Sequence, residues 1–156
     1  IGVIEKVGPS DPAKSAIRAA LSENVHRLIT NDPLTRAGHP EGLHQMRVAC
    51  RRTRSDLKTF GPLIDETWAI DIAHELKWIA NVLGKVRDLD VMIERLLQTS
   101  EGLESRLTPL FDALRDKQEG ARKVVNEALE SDRYIELLER LVAGSGQRDV
   151  TTLPRV

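Results

Sequence analysis

A chain of 156 residues with 40% hydrophobic side chains is long enough to bury one core and too short to favour two independent domains. Aromatics at 3% and scarce Val/Ile/Thr runs argue against a β-sandwich or barrel, whereas abundant Leu, Ala, Arg and Glu suit packed helices. The formal net charge of -1 covers 30% charged residues, so affinity for an acidic partner must come from the arrangement of charge and not from its total.

The single cysteine, Cys50, rules out an internal disulfide. No window approaches the roughly 20 apolar residues of a membrane span or resembles a signal peptide. A reducing, cytoplasmic setting with no membrane partner is the expectation.

Residues 1–9 read as a linker, after which Ser10-Asp11-Pro12 supplies a capping residue and a proline at the first helical position. A first helix is predicted from about Pro12 to about Thr30, with Ile17, Leu21, Val25 and Leu28 at three- and four-residue spacing. The stretch from Asn31 to Glu41, with Pro33, Gly38 and Pro40, reads as a connection. Pro40 restarts a helix that ends at Gly61-Pro62, and a third helix is predicted from about Glu66 to Leu97, its core side formed by Ile79, Leu83, Val86, Ile93 and Leu97. Gly84 costs that helix about 1 kcal/mol without stopping it, which suggests that something approaches closely there.

Thr108-Pro109 repeats the cap-then-proline signal and opens a fourth helix to about Glu130, and Ser131-Asp132 caps a short fifth one ending at Gly144. The expected architecture is all-α: an up-down four-helix bundle over residues 10–143 with a short extra C-terminal helix. Residues 144–156 read as a linker, and the start at Ile1 with this polar tail suggests a piece of a longer protein.

The second helix carries the most informative pattern. At about 100° per residue, Met46, Ala49, Cys50, Thr53, Leu57 and Phe60 fall on one side, the core face. His44, Arg47, Arg51, Arg54 and Lys58 gather within about 80° on the other. Like charges at this spacing repel by a few tenths of a kcal/mol per pair, so the row needs an acidic neighbour or a ligand. Soluble helix faces usually mix signs, while this one is single-signed over roughly 21 Å. Arginine dominates it, and a guanidinium fork can hold two oxygens of one phosphate, which suits a chain of phosphates.

The run His44-Gln45-Met46-Arg47-Val48-Ala49 with Arg51-Arg52 and Arg54-Ser55 resembles the opening motif of the CHAD family, the conserved-histidine α-helical domains. Leu76-Lys77-Trp78, Leu83-Gly84 and Val86-Arg87-Asp88-Leu89-Asp90-Val91 are similar to that family's third-helix motif, and Ala121-Arg122 with Ser131-Asp132-Arg133-Tyr134 to its fourth-helix region. The resemblance covers roughly residues 35 to 143. It implies two four-helix bundles related by pseudo-symmetry, of which this chain is the first, around a basic channel that binds inorganic polyphosphate, often beside a CYTH-type phosphohydrolase domain. It also implies a cytoplasmic protein that can associate with polyphosphate granules, and a second CHAD half or a homodimer as partner.

Beyond helix 2, Lys77 on the polar face of helix 3 is the best added phosphate ligand, with Lys85 at its edge and Arg122 on helix 4. Asp90 falls among apolar positions, where a lone carboxylate is costly, so it is expected to form a structural ion pair with Arg52 or Arg87. No metal site is expected: His44 lacks acidic or histidine neighbours at ligand spacing, and His74-Glu75 lacks the second histidine of a zincin helix. No nucleophile, base and orienting group share a face, and no Gly-rich phosphate loop joins a strand to a helix. Trp68 and Trp78 are expected to pack, not to stack on bases, so sequence-specific nucleic-acid reading is not expected.

The reading is therefore a non-catalytic polyphosphate-binding module without a cofactor. Two rivals remain at this stage. One is a metal-dependent phosphohydrolase or phosphoacceptor using His44, Asp88 and Asp90, and the other is an interaction module whose basic stripe docks an acidic helix of a partner or of the second bundle.

Overall fold

The computed structural model describes residues 12–145. The linker at 1–9, the cap at Ser10-Asp11 and the tail from 146 to 156 lie outside the described residues. Within them the chain is helical: α1 (Pro12–Arg36), α2 (Pro40–Phe60), a 3-10 turn (Gly61–Leu63), α3 (Glu66–Thr99), α4 (Glu104–Glu130) and α5 (Asp132–Gly144), with no strand among the described residues.

Two boundaries differ from the sequence reading, both at a proline. Helix α1 does not stop at Thr30 but continues through Asn31-Asp32-Pro33 to Arg36. Pro33 removes one backbone donor, yet side chains hold the last turns. Asn31 Nδ2 donates to the Arg27 carbonyl over 2.8 Å and Thr35 Oγ1 to the Asn31 carbonyl over 2.8 Å. Asp32 accepts both the Arg36 guanidinium and the Tyr134 hydroxyl, the latter over 2.7 Å. What ends α1 is Gly38, whose φ of 85° supplies the left-handed residue that helix ends favour. The connection therefore shrinks to Ala37, Gly38 and His39.

Helix α4 likewise starts at Glu104 and not at Thr108, with Pro109 inside it. Gly102 makes the turn at φ 86°, its N–H donates to the Glu104 carboxylate over 3.1 Å, and Leu107 packs against the Ile93, Phe111 and Leu114 cluster. Apolar contact on α3 outweighs the hydrogen bond that Pro109 removes.

Cross-helix contacts give the chain directions. Asn24 Nδ2 donates to Asp56 over 2.9 Å, while Leu34 meets Gly42 closer to the joining turn, so α1 and α2 run antiparallel. Gly61 against Ala69 and Gly84 against Arg47 do the same for α2 and α3, and for α3 and α4 so do Asp90 against Gln118 and Arg122 and, nearer the joining turn, Ile93 clustered with Phe111 and Leu114. Helix α5 returns across α3, α4 and α1.

The main core gathers Leu28, Met46, Ile72, Leu76, Ile79, Leu83, Leu129, Tyr134 and Leu137, all shut off from solvent. Each such aliphatic side chain contributes about 1.5–3 kcal/mol by leaving water. A smaller cluster of Ile93, Phe111 and Leu114, flanked by Leu89, Leu96 and Leu107, packs the far end of the α3–α4 hairpin separately. Leu97, expected on the core side, is 48% exposed: the 34-residue α3, about 50 Å long at 1.5 Å per residue, outruns the 21-residue α2 that would have covered it.

Candidate polyanion interface

Helix α2 is clamped by its inner side. Met46, Ala49 and Cys50 are fully excluded from solvent and Leu57 and Thr53 nearly so, with Thr53 returning its hydroxyl proton to the Ala49 carbonyl over 2.8 Å. That leaves the opposite side for the basic row: Arg51 and Lys58 are exposed, and His44, Arg47 and Arg54 are half-buried. No carboxylate lies within ion-pairing distance of any of the five among the described residues; the ion pairs formed belong to Arg27, Arg36, Arg122, Arg133 and Arg140.

Arg47 shows how the row is held. Its guanidinium lies across α3 at Gly84, where a β-carbon would stand 3.4 Å from Nη2 and 3.5 Å from Cζ. The glycine on the polar face of α3 thus makes room for a cation, which is the close approach its position suggested. In the antiparallel register set by this contact, one residue forward on α2 is one back on α3, so Lys77 stands level with Arg54 and Arg87 level with His44. Lys77 is exposed and extends the positive surface across the α2–α3 boundary. Lys85 is exposed one position further round α3 from Gly84, at the edge of that surface. Asp88, exposed on the same face of α3 as Gly84, is the carboxylate there, and it forms no ion pair with the row among the described residues.

Cys50 lies beneath the row. Burial pushes its thiol up to about 12, with Arg54 and then Arg47 pulling the other way. The thiol is therefore neutral and shielded, unsuited to nucleophilic chemistry.

Asp90 does meet an arginine, but not Arg52 or Arg87 as expected. Its Oδ1 lies 3.6 Å from Arg122 of α4 and accepts from Gln118 of the same helix. The wheel position of Asp90 turns it away from α2 and onto α4, which places Arg52 out of reach. Arg52 instead sits beside Asp56 one turn on, where its charge opposes the rise that burial causes in the Asp56 carboxyl. Arg122, assigned to phosphate binding from sequence, is thus paired with Asp90 and stands beside the start of α2, near Pro40 and Leu43, before the row begins. Arg87 is freed: it lines an open groove with Pro40, Asp90, Ile93, Glu94, Leu97, Gln98, Gln118 and Arg122, at the end of the row where α2 begins. Sequence reasoning missed it because the adjacent Asp88 and Asp90 made an ion pair the simpler assignment.

The groups a phosphohydrolase would need do not converge. His44 is on α2, Asp88 on the exposed face of α3 and Asp90 on its α4-facing side. No group of three His, Cys, Asp or Glu side chains among the described residues is placed to hold a metal ion. Likewise no helix of the described residues is long and apolar enough to cross a membrane.

Among known proteins, the chain is 37% identical over 152 residues to a protein of Mycobacterium tuberculosis strain CDC 1551 / Oshkosh described only as uncharacterized. It is 36% identical over 152 residues to one from strain H37Rv with the same description. In each case 90% of this chain is covered, and the chain spans 28% of the relative's length. No solved structure matches it. The family model described as CHAD domain matches residues 19–152, a span that holds the whole of α2, α3, α4 and α5, and the chain belongs to the CHAD domain family.

Proposed function

We propose that this chain is a non-catalytic module that binds inorganic polyphosphate along the outer face of α2, as one half of a CHAD-type double bundle built on α1 to α4. His44, Arg47, Arg51, Arg54 and Lys58 form the main contact, Lys77 and Lys85 widen it on α3, and Arg87 takes the place first given to Arg122. The observation that carries this reading is the unneutralised row itself: cations a turn apart on a rigid helix, with no carboxylate in pairing range among the described residues. Such a row gains most from a ligand that repeats its negative charge, because each phosphate meets a guanidinium fork already in position. His44, in the first two turns of α2, adds a ring N–H near the positive end of the helix dipole.

The deciding experiment titrates the chain with long-chain polyphosphate at two salt concentrations, beside the double variant Arg47→Glu with Arg51→Glu checked for folding by circular dichroism. Binding that weakens steeply with salt and disappears in the folded variant is the expected result. Binding retained by the variant would remove α2 as the site.

A further inference from the structure

The chain is nearly neutral overall, so negative charge elsewhere balances the positive face of α2, and part of it forms an acidic row on α5. Asp132, Glu136 and Glu139 fall within about 60° on its helical wheel, and all three are exposed and outside every ion pair of the described residues. The arginines beside them are already engaged with α3: Arg133 Nε lies 2.6 Å from Glu75, with its guanidinium 4.0 Å from the centre of the Trp78 ring, and Arg140 lies 4.0 Å from Asp71. Glu136 shares a groove of about 340 Å³ with Asp71, His74, Glu75, Arg133, Leu137 and Arg140. This side of the molecule thus sets five carboxylates, Asp71, Glu75, Asp132, Glu136 and Glu139, against two guanidinium groups.

The spacing of the two faces matches. Asp132, Glu136 and Glu139 are separated by four and then three residues, and so are Arg47, Arg51 and Arg54. Laid parallel, the two helices bring three opposite charges face to face at once, at the same rise per residue. Within one molecule this does not happen: α5 packs against α1, α3 and α4 and nears α2 only through the core, where Tyr134 lies by Cys50, on the side opposite the basic row. Ile135, 43% exposed on the flank of the acidic row, supplies apolar surface beside the charges.

We propose that a second copy of this chain docks the acidic face of its α5 onto the basic face of α2. The two faces differ, so the contact is head-to-tail, and it is weak and salt-sensitive because its charges lie near the surface. The docking does not depend on the polyphosphate reading, but if both hold, they compete for one surface.

The test is analytical ultracentrifugation of the 156-residue chain at about 50 mM and about 500 mM salt. At low salt the average mass should climb above the 17.4 kDa protomer with concentration, and it should return to it at high salt. Glu136→Arg with Glu139→Arg should weaken association at least about tenfold, and so should Arg51→Glu with Arg54→Glu, whereas an equal mixture of the two variants should associate again. The milder Glu136→Gln with Glu139→Gln should weaken it in the same direction. A wild type that stays at protomer mass at low salt, or an α5 variant that associates like wild type, overturns the docking. Polyphosphate titration of the α5 variant reads the other question alone, since its α2 is intact. If it fails to bind polyphosphate, the fault lies with that reading and not with the docking.

Discussion

The guanidinium of Arg47 rests on the one residue of α3 that offers it no side chain, Gly84, with Nη2 3.4 Å from where a β-carbon would be. A single methyl group fits at that distance and a branched side chain does not. Gly84→Ala should therefore leave polyphosphate affinity within about twofold while stabilising α3 by up to about 1 kcal/mol, the usual gain of alanine over glycine in a helix. Gly84→Leu should push Arg47 off α3 and weaken binding several-fold. Chemical denaturation with a binding titration separates the two effects, and equal affinities for both variants would show that Arg47 needs no seat.

Arg51 is the exposed centre of the row, so its loss should be felt as charge more than as packing. Arg51→Ala should lower the dependence of log affinity on log salt by about one, with Arg51→Lys restoring most of that slope but less of the affinity, since lysine lacks the two-pronged fork. An unchanged slope would place the phosphate chain elsewhere.

The pair between Asp90 and Arg122 is lopsided. The carboxylate side chain is 9% exposed and its Oδ2 is buried without a partner, whereas Arg122 is 39% exposed. Removing the arginine strands a buried charge; removing the carboxylate releases a cation that water can reach. Arg122→Leu should cost about 2 kcal/mol and Asp90→Asn less than about 1 kcal/mol, compared by urea midpoints. The reverse order would mean that Gln118 alone satisfies Asp90.

Alkaline pH should weaken the fold through two buried groups. Burial lifts the Cys50 thiol from 9.0 to about 12, and burial with the neighbouring Asp32 carboxylate lifts the Tyr134 hydroxyl well above 10.0. A raised folded value means that their contribution is whole below the unfolded value and is lost as pH climbs through the folded one. Stability should hold up to about pH 9 and fall steadily above it, and native Cys50 should react with iodoacetamide at pH 8 far more slowly than in denaturant. Fast labelling of the native chain would show that α2 opens readily.

The helices and the basic row were legible because they depend on periodicity, which a sequence states directly. Met46, Ala49, Cys50 and Leu57 point inward as their spacing requires, and the row faces away from them. The misread boundaries, at Pro33 and Pro109, share a cause: proline is a local stop signal, and the contacts that override it come from Tyr134 in one case and from Ile93 in the other, each distant in sequence. Choosing Arg122 over Arg52 and Arg87 for Asp90 needed the rotation of α3 against α4, which no local pattern encodes. Leu97 failed for a related reason, since its apolar spacing says nothing about where α2 begins.

The small cluster of Ile93, Phe111 and Leu114, separate from the main core, should make the molecule open as two units of unequal strength. Few residues close the far end of the α3–α4 hairpin, so its backbone amides should exchange with solvent through local openings, while those of Ile72 to Leu83 wait for global unfolding. Asp90 and Arg122 span the seam between these units, and each opening of the hairpin would part them, leaving the arginine briefly without its carboxylate beside the start of α2.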